Sequence, residues 1–168
     1  VDGKEFIFNV KATVFFDQYI VTLTDITQIS QLTIEYKHEA SYDSLTKIYN
    51  RNMFNRFFDI KMNKAQEKGT DLVFIIFDID FFKEVNDKYG HLVGDDVLKT
   101  LSNLIKSKIR ENDLFARWGG EEFVLALDME VDKGFVIANN LRSAIEENKF
   151  DRVEELTCSF GITQFKEE

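Results

Sequence analysis

Asp78-Ile79-Asp80 is the first stretch of this chain whose residue types and spacing suggest chemistry. It follows the apolar run Leu72-Val73-Phe74-Ile75-Ile76-Phe77 and precedes a helical pattern. In open sheets, ligands gather beyond the carboxyl ends of strands. A period of two puts Asp78 and Asp80 on one side and Ile79 on the other. The backbone N–H groups of Phe81, Phe82 and Lys83 then fall at a helix N-terminus, where phosphate is favoured. Carboxylate and phosphate repel unless a cation stands between them. Mg²⁺ suits that place, because it takes one or two carboxylates together with phosphate oxygens. The same acids could simply cap the helix. A second stretch is Gly119-Gly120-Glu121-Glu122. Its glycines allow a sharp turn and leave room for a ligand against the backbone. Its glutamates open a strand, so only one of them faces a given side. Alone, this is also the pattern of an ordinary hairpin with exposed acids.

The elements that must hold these residues are legible from periodicity. Asn50 can cap a helix through Met53, Phe54, Phe57, Phe58 and Ile60, which Gly69 closes. The apolar run from Leu72 reads as a central strand buried on both faces. A short helix follows, then a longer one from about Val93 to Ile109. Two strands, Leu114 to Trp118 and Glu122 to Leu127, flank the Gly-Gly turn. A helix from about Lys133 to Glu147 and a strand from about Leu156 to Thr163 complete a β-α-α-β-β-α-β order. This predicts an α+β fold of the ferredoxin-like type, a mainly antiparallel sheet flanked by helices. A strand-end acid beside a hairpin acid resembles the two-metal palm arrangement of polymerases and nucleotidyl cyclases.

Ahead of this domain, Phe6, Phe8, Val10, Ala12, Val14 and Phe16 alternate as a strand, and Tyr19 to Thr24 read as a second. Residues 27–42 turn helical, with Ile29, Leu32, Tyr36 and Ala40 on one face. That stripe suits either a linker helix packed on its own domain or a dimerising stalk.

Composition narrows the function. The net charge of −9 and the lack of a basic stripe argue against nucleic acid as a partner. Small phosphorylated ligands remain compatible, because metal ions and backbone amides hold them on an acidic surface. No apolar run reaches the length of a membrane span. Cys158 is the single cysteine, which rules out a disulfide within the chain and fits a reducing compartment. It reads as a core residue.

Several motifs in order resemble the GGDEF family of diguanylate cyclases. Asp43-Ser44-Leu45-Thr46-Lys47-Ile48-Tyr49-Asn50-Arg51 resembles the family's opening motif. Asp78 to Lys83, with Asn86-Asp87, Gly90-His91 and Gly94-Asp95, resembles its nucleotide-binding segment. Arg117-Trp118-Gly119-Gly120-Glu121-Glu122-Phe123 resembles the signature hairpin, and Thr157 to Ile162 the late strand. The resemblance implies condensation of two GTP into cyclic di-GMP with release of pyrophosphate. It implies that Asp78, the Ile79 carbonyl and Glu121 hold two Mg²⁺ ions, with Mn²⁺ as a substitute and Glu122 as a weaker ligand. Glu121 becomes the base for the ribose 3′-hydroxyl. The amides of Phe81, Phe82 and Lys83 cradle phosphates, and the Lys83 ammonium stabilises charge. Asn86 and Asp95 read the guanine edge, with Leu98 as an apolar wall, while His91 supports the local loop. Asp95 disfavours adenine, which presents an acceptor at N1. Each domain offers one GTP site, so a homodimer is implied. Arg110-Glu111-Asn112-Asp113 matches the family's Arg-x-x-Asp motif, which implies product binding by Arg110 and Asp113.

The resemblance also divides the chain. Residues 1–26 resemble the end of a PAS-like sensor domain, 27–42 form a helical linker, and 43–168 are the GGDEF domain. The sequence stops at Lys166-Glu167-Glu168, before the family's terminal helix and its basic residues. It therefore reads as a piece of a longer sensor-cyclase, cytoplasmic at this domain, whose whole could be membrane-attached. The alternative is an inactive module that binds GTP or cyclic di-GMP without turnover.

Overall fold

The computed structural model describes residues 5–16, 18–30 and 41–165, and it divides into two compact units, Val1–Ala40 and Ser41–Glu168. In the first unit, β1 (Phe8–Phe15) and β2 (Gln18–Asp25) form an antiparallel hairpin. Register puts Val10 opposite Leu23, Ala12 opposite Val21 and Val14 opposite Tyr19, so the alternating residues share one face. Val10, Val14, Tyr19, Val21 and Leu23 of that face are all exposed. Residues 27–30 are helical. Of the rest of the expected 27–42 linker helix, 31–40 lies outside the described residues, and its last two residues are not helical: Ser41 lies in a turn and Tyr42 forms a β-bridge with Tyr49.

The second unit opens with β3 (Tyr49–Asn50), a two-residue strand that the periodicity does not reveal. It leads into α1 (Arg51–Lys68), where the Asn50 side chain accepts from the Met53 N–H at 3.0 Å and Gly69 closes the helix at φ 60°. Then come β4 (Leu72–Ile79), α2 (Phe82–Tyr89), α3 (His91–Lys108), β5 (Leu114–Gly119), β6 (Glu122–Leu127), α4 (Val131–Glu147) and β7 (Cys158–Phe165). The sheet runs β3-β5-β6-β4-β7, antiparallel throughout except for the β3–β5 pair. This is the expected α+β sheet, with β4 between the hairpin and the last strand.

The two faces of β4 differ. Val73, Ile75, Phe77 and Ile79 point into the main core with Val97, Leu101 and Ile105 of α3 and Leu141 and Ile145 of α4. On the other face, Phe54 and Ala65 of α1 pack with Leu72, Leu114, Ala116, Val124 and Ala126. That second layer stops short of Ile76, which stays 36% exposed, so β4 is not buried on both faces along its whole length. Part of the phenylalanine excess is explained by a row of rings across the sheet. Phe77 stacks on Phe160 at 4.6 Å and on Phe123 at 5.2 Å, and Phe123 stacks on Phe115 at 5.9 Å. Such cross-strand aromatic pairs are a unit of sheet stabilisation and lock register, because a one-residue slip would turn every ring to the wrong face.

Candidate active site

Register carries the acids to one place. The β4–β6 ladder sets Asp78 directly opposite Glu122, and the β4–β7 ladder sets it opposite Ser159. The row of rings at Phe77, Phe123 and Phe160 lies one residue further along and fixes that alignment from below. Burial pushes the Asp78 carboxyl above the ordinary carboxylate range, and the charges of Glu121, Glu122 and Asp80 push it the same way. Like charges facing across a sheet destabilise it. The strand end therefore holds negative charge that a divalent cation would relieve.

Asp80 has a different job from Asp78. Its two carboxylate oxygens accept from Thr157 Oγ1 at 2.7 Å and Ser159 Oγ at 2.6 Å, and its N–H donates to the Thr157 carbonyl at 3.0 Å. It fastens the end of β4 to the start of β7, which leaves Asp78 as the carboxylate of this pair without such a tie. Cys158, next to that anchor, is buried, and its thiol is pushed up by burial and then by Asp80 and Asp78. A thiol held neutral in this way is a core group and no nucleophile.

A cleft of about 420 Å³ lies beside the strand end. Phe82, Lys83, Asn86, Asp95, Leu98 and Glu121 all line it, with His91 and Arg117. These residues come from α2, α3 and the hairpin tip. Glu121 is half-buried there, whereas Glu122 is exposed on the strand. Gly94 of α3 leaves room for the Asn86 amide of α2. A Cβ at Gly94 would meet Asn86 Oδ1 at 2.0 Å, so only glycine lets the Asn86 amide lie over α3. The expected metal residues Asp78, Ile79 and Glu122 do not line this cleft, and of the expected substrate-binding residues Phe81 does not. Phe81 caps α2 in the left-handed region at φ 56°, and its exposed ring lines a different hollow with Glu84, Lys88 and Tyr89. A left-handed residue followed by a right-handed helix turns successive N–H groups toward one point, a geometry that suits an anion.

Among the described residues, no three His, Cys, Asp or Glu side chains converge as a ready-made metal cage. Asp78, with the charges of Glu121 and Glu122 acting on it, offers the one or two carboxylates that a hard divalent cation such as Mg²⁺ uses, so the donor set fits such an ion.

Arg110 and Asp113 lie elsewhere. The Asp113 carboxylate accepts from the Arg110 N–H at 2.9 Å, closing the turn after α3. Arg110 borders two hollows. One, about 1090 Å³, is lined by Lys61, Lys64, Lys68 and Lys133; the other, about 490 Å³, by Tyr42, Tyr49, Lys47 and Lys106.

Sequence reasoning missed the residues that fix the hairpin. Arg117 Nη1 donates to Asp43 Oδ1 at 3.0 Å, and Arg117 Nε donates to the Gly120 carbonyl at 2.8 Å. Both residues stand inside the quoted motifs, yet no spacing rule links positions 74 residues apart.

Strand order, strand-end acids and cleft together define a palm-type α+β domain. The chain belongs to the GGDEF family: residues 40–168 match the family described as "Diguanylate cyclase, GGDEF domain". It is 41% identical over 136 residues to the probable diguanylate cyclase DgcT of Escherichia coli, spanning 76% of this chain and 30% of that protein. It is 37% identical over 153 residues to an uncharacterized membrane protein of Staphylococcus epidermidis, spanning 88% of this chain and 43% of that one. The chain thus spans less than half the length of these relatives. Among solved structures, diguanylate cyclase SiaD of Pseudomonas aeruginosa, in complex with its activator SiaC, superposes with a TM-score of 0.72 at 32% identity, covering 83% of this chain and 55% of SiaD. The active GGEEF domain of a Vibrio cholerae diguanylate cyclase superposes with a TM-score of 0.67 at 32% identity, covering 70% of this chain and 77% of that domain. Among the described residues, no helix is long and apolar enough to cross a membrane.

Proposed function

We propose that this chain is the catalytic domain of a diguanylate cyclase that converts two GTP into cyclic di-GMP and two pyrophosphates. The observation that carries this reading is the single cleft that gathers Lys83, Asn86, Asp95, Leu98 and Glu121 beside Asp78. In each half-reaction the ribose 3′-oxygen of one GTP forms a bond to the α-phosphorus of the other. The bond from that phosphorus to the β-phosphate oxygen breaks, and pyrophosphate leaves with the electron pair. Glu121 accepts the hydroxyl proton. Asp78, the Ile79 carbonyl and Glu121 would hold two Mg²⁺ ions, with Glu122 as a further ligand and Mn²⁺ as a substitute. When bound, these ions lower the hydroxyl pKa and offset phosphate charge. The amides of Phe81, Phe82 and Lys83 bind phosphate oxygens, and the Lys83 ammonium stabilises the charge that builds in transfer. The Asp95 carboxylate accepts from the guanine N1–H and amino group, the Asn86 amide pairs with the same edge, and Leu98 covers one side of the base. The Glu-for-Asp form of the signature is compatible with turnover, because the Vibrio cholerae domain that carries it is described as active.

One cleft holds one GTP, so a second copy must present the other. We therefore infer a homodimer as the working unit. Arg110 and Asp113 form the candidate site for cyclic di-GMP as inhibitor, since Arg grips phosphate and stacks on guanine. The reaction belongs in the cytoplasm, with membrane attachment of the whole protein suggested by the staphylococcal relative.

The test is direct. Purified dimeric protein is incubated with Mg²⁺ and either GTP or ATP, and the products are separated and identified by mass. Cyclic di-GMP from GTP alone is expected. If nucleotide binds but no cyclic dinucleotide forms, the domain is a binding module; an adenine-containing product would overturn the role of Asp95.

A further inference from the structure

The hairpin that carries Glu121 closes on the Gly119–Glu122 pair, and beyond that pair its two-residue tip has little of its own to hold it. Positions 119 and 120 lack side chains, and a Cβ built on either would find no atom within 4 Å. The strand register shifts between Arg117 and Gly119, so the ladder is irregular just where the turn begins. Gly120 sits in the left-handed region at φ 52°. Packing at these two glycines therefore does not decide where the tip lies. The tie across it is the 2.8 Å hydrogen bond from Arg117 Nε to the Gly120 carbonyl, one residue before Glu121.

The same guanidinium is anchored at its other end. Arg117 Nη1 reaches Asp43 Oδ1 at 3.0 Å, with both side chains largely withdrawn from water, 15% and 21% exposed. That oxygen also accepts from the Thr46 N–H at 2.8 Å and from Thr46 Oγ1 at 2.7 Å. The 43–46 turn is thus a fixed post, and the planar fork of Arg117 spans from it to the hairpin tip. A lysine at this position offers a compact ammonium on a flexible stem and lacks the planar fork that holds both contacts in fixed geometry.

We propose that Arg117, anchored by Asp43 and Thr46, is a positioning residue for catalysis: it sets the place of Glu121 relative to Asp78. It also makes the 43–46 turn, where the domain begins, a mechanical input to the active site. This rests on the reading of Glu121 as a catalytic group. A misplacement of about 1 Å at such a group costs on the order of a hundredfold in rate.

The variants are Arg117→Lys, Asp43→Asn and their combination, studied with two readouts. The first is amide hydrogen exchange at residues 119–122, which does not depend on turnover. Arg117→Lys is expected to speed exchange at the tip while β4 and the rest of β6 stay protected. The second is steady-state synthesis of cyclic di-GMP. Arg117→Lys is expected to lower kcat by roughly 10- to 100-fold, with KM for GTP within about threefold of the parent and more Mg²⁺ needed for half-maximal rate. Asp43→Asn keeps the acceptor for Thr46 but loses the charge, so it should show the same pattern more weakly. The double variant should be no worse than Arg117→Lys alone, because both act through one link. If wild-type protein makes no cyclic dinucleotide, the proposed activity fails while the exchange result still decides the brace. Unchanged tip exchange, or equal loss in kcat and in global stability with additive variants, would overturn the proposal. Should Arg117→Lys not fold, Asp43→Asn alone carries both readouts.

Discussion

At the scale of single residues, the site is built on a conflict of charge. Asp78 faces Glu122 across the ladder with Glu121 and Asp80 nearby, and its carboxyl is held above the ordinary range by burial and by those charges. A sheet selected for stability alone would not place these acids together, which is the familiar conflict between stability and function. Two substitutions separate the roles. Asp78→Asn is expected to remove Mg²⁺-dependent turnover and yet raise Tm by about 1–3 °C in the presence of a chelator. A Tm that stays level or falls would mean that the repulsion is not felt. Glu121→Gln is expected to lower cyclic di-GMP synthesis by at least about a hundredfold, the usual range for a lost general base. Glu122→Gln should cost much less, since Glu122 is exposed on the strand while Glu121 lines the cleft.

At the scale of elements, two close fits control the site. The first joins α2 to α3, where the Asn86 amide occupies the space that any side chain at Gly94 would need. Gly94→Ala must displace the Asn86 amide from its place in the cleft. KM for GTP is expected to rise by about tenfold, the order of one lost hydrogen bond to a buried group. Isothermal titration with a non-hydrolysable GTP analogue reads this without turnover, and unaltered affinity would remove Asn86 from guanine reading. The second joins the 43–46 turn to the hairpin. Although burial alone would raise the Asp43 carboxyl, hydrogen bonds from Thr46 and Arg117 and the Arg117 charge hold it below the ordinary value. A carboxyl depressed by folding lends stability above its unfolded pKa and loses it as pH falls through the folded one. Thermal unfolding of wild type and Asp43→Asn should therefore differ most near neutral pH and converge in strong acid. A constant gap across that range would show that the ion pair is not the cause.

At the scale of the whole molecule, the proposed joining of two GTP, one held by each chain, would make synthesis bimolecular in protein. Synthesis per mole of chain is expected to rise steeply with concentration until the dimer saturates. Tethering two copies would abolish that dependence by raising effective concentration. A specific rate constant across dilution, with only monomer in solution, would contradict the dimer. Arg110 also borders a hollow of mixed charge, where Asp71, Asp128, Glu130 and Asp132 stand among lysines and Lys61 pairs with Asp128 and Lys133 with Glu130. Lys61, Lys64, Lys68 and Lys133 share it with Arg110, remote from the cleft residues in the element order. Arg110→Ala is expected to weaken inhibition by cyclic di-GMP at least about tenfold, because Arg contacts to phosphate are the strong, bidentate kind. Inhibition at the wild-type concentration would leave Arg110 and Asp113 as no more than the turn closure seen here.

Periodicity and turn chemistry decided most of the elements from the chain alone. Asn50 and Gly69 bound α1, the apolar run marks β4, and the glycine pair marks the hairpin, because caps, runs and turns are local effects. Motif spacing likewise located the strand-end acids and the residues of the cleft. Other features depended on register and packing over long separations. The two-residue β3 is too short to leave a period, and the exposure of Ile76 depends on which residues the second layer covers. The division of labour between Asp78 and Asp80 appears only when β7 supplies Thr157 and Ser159. The brace from Asp43 through Arg117 to Gly120 joins residues that no local pattern connects. Local sequence fixes which groups a segment can offer, while pairing and packing decide which distant groups they meet.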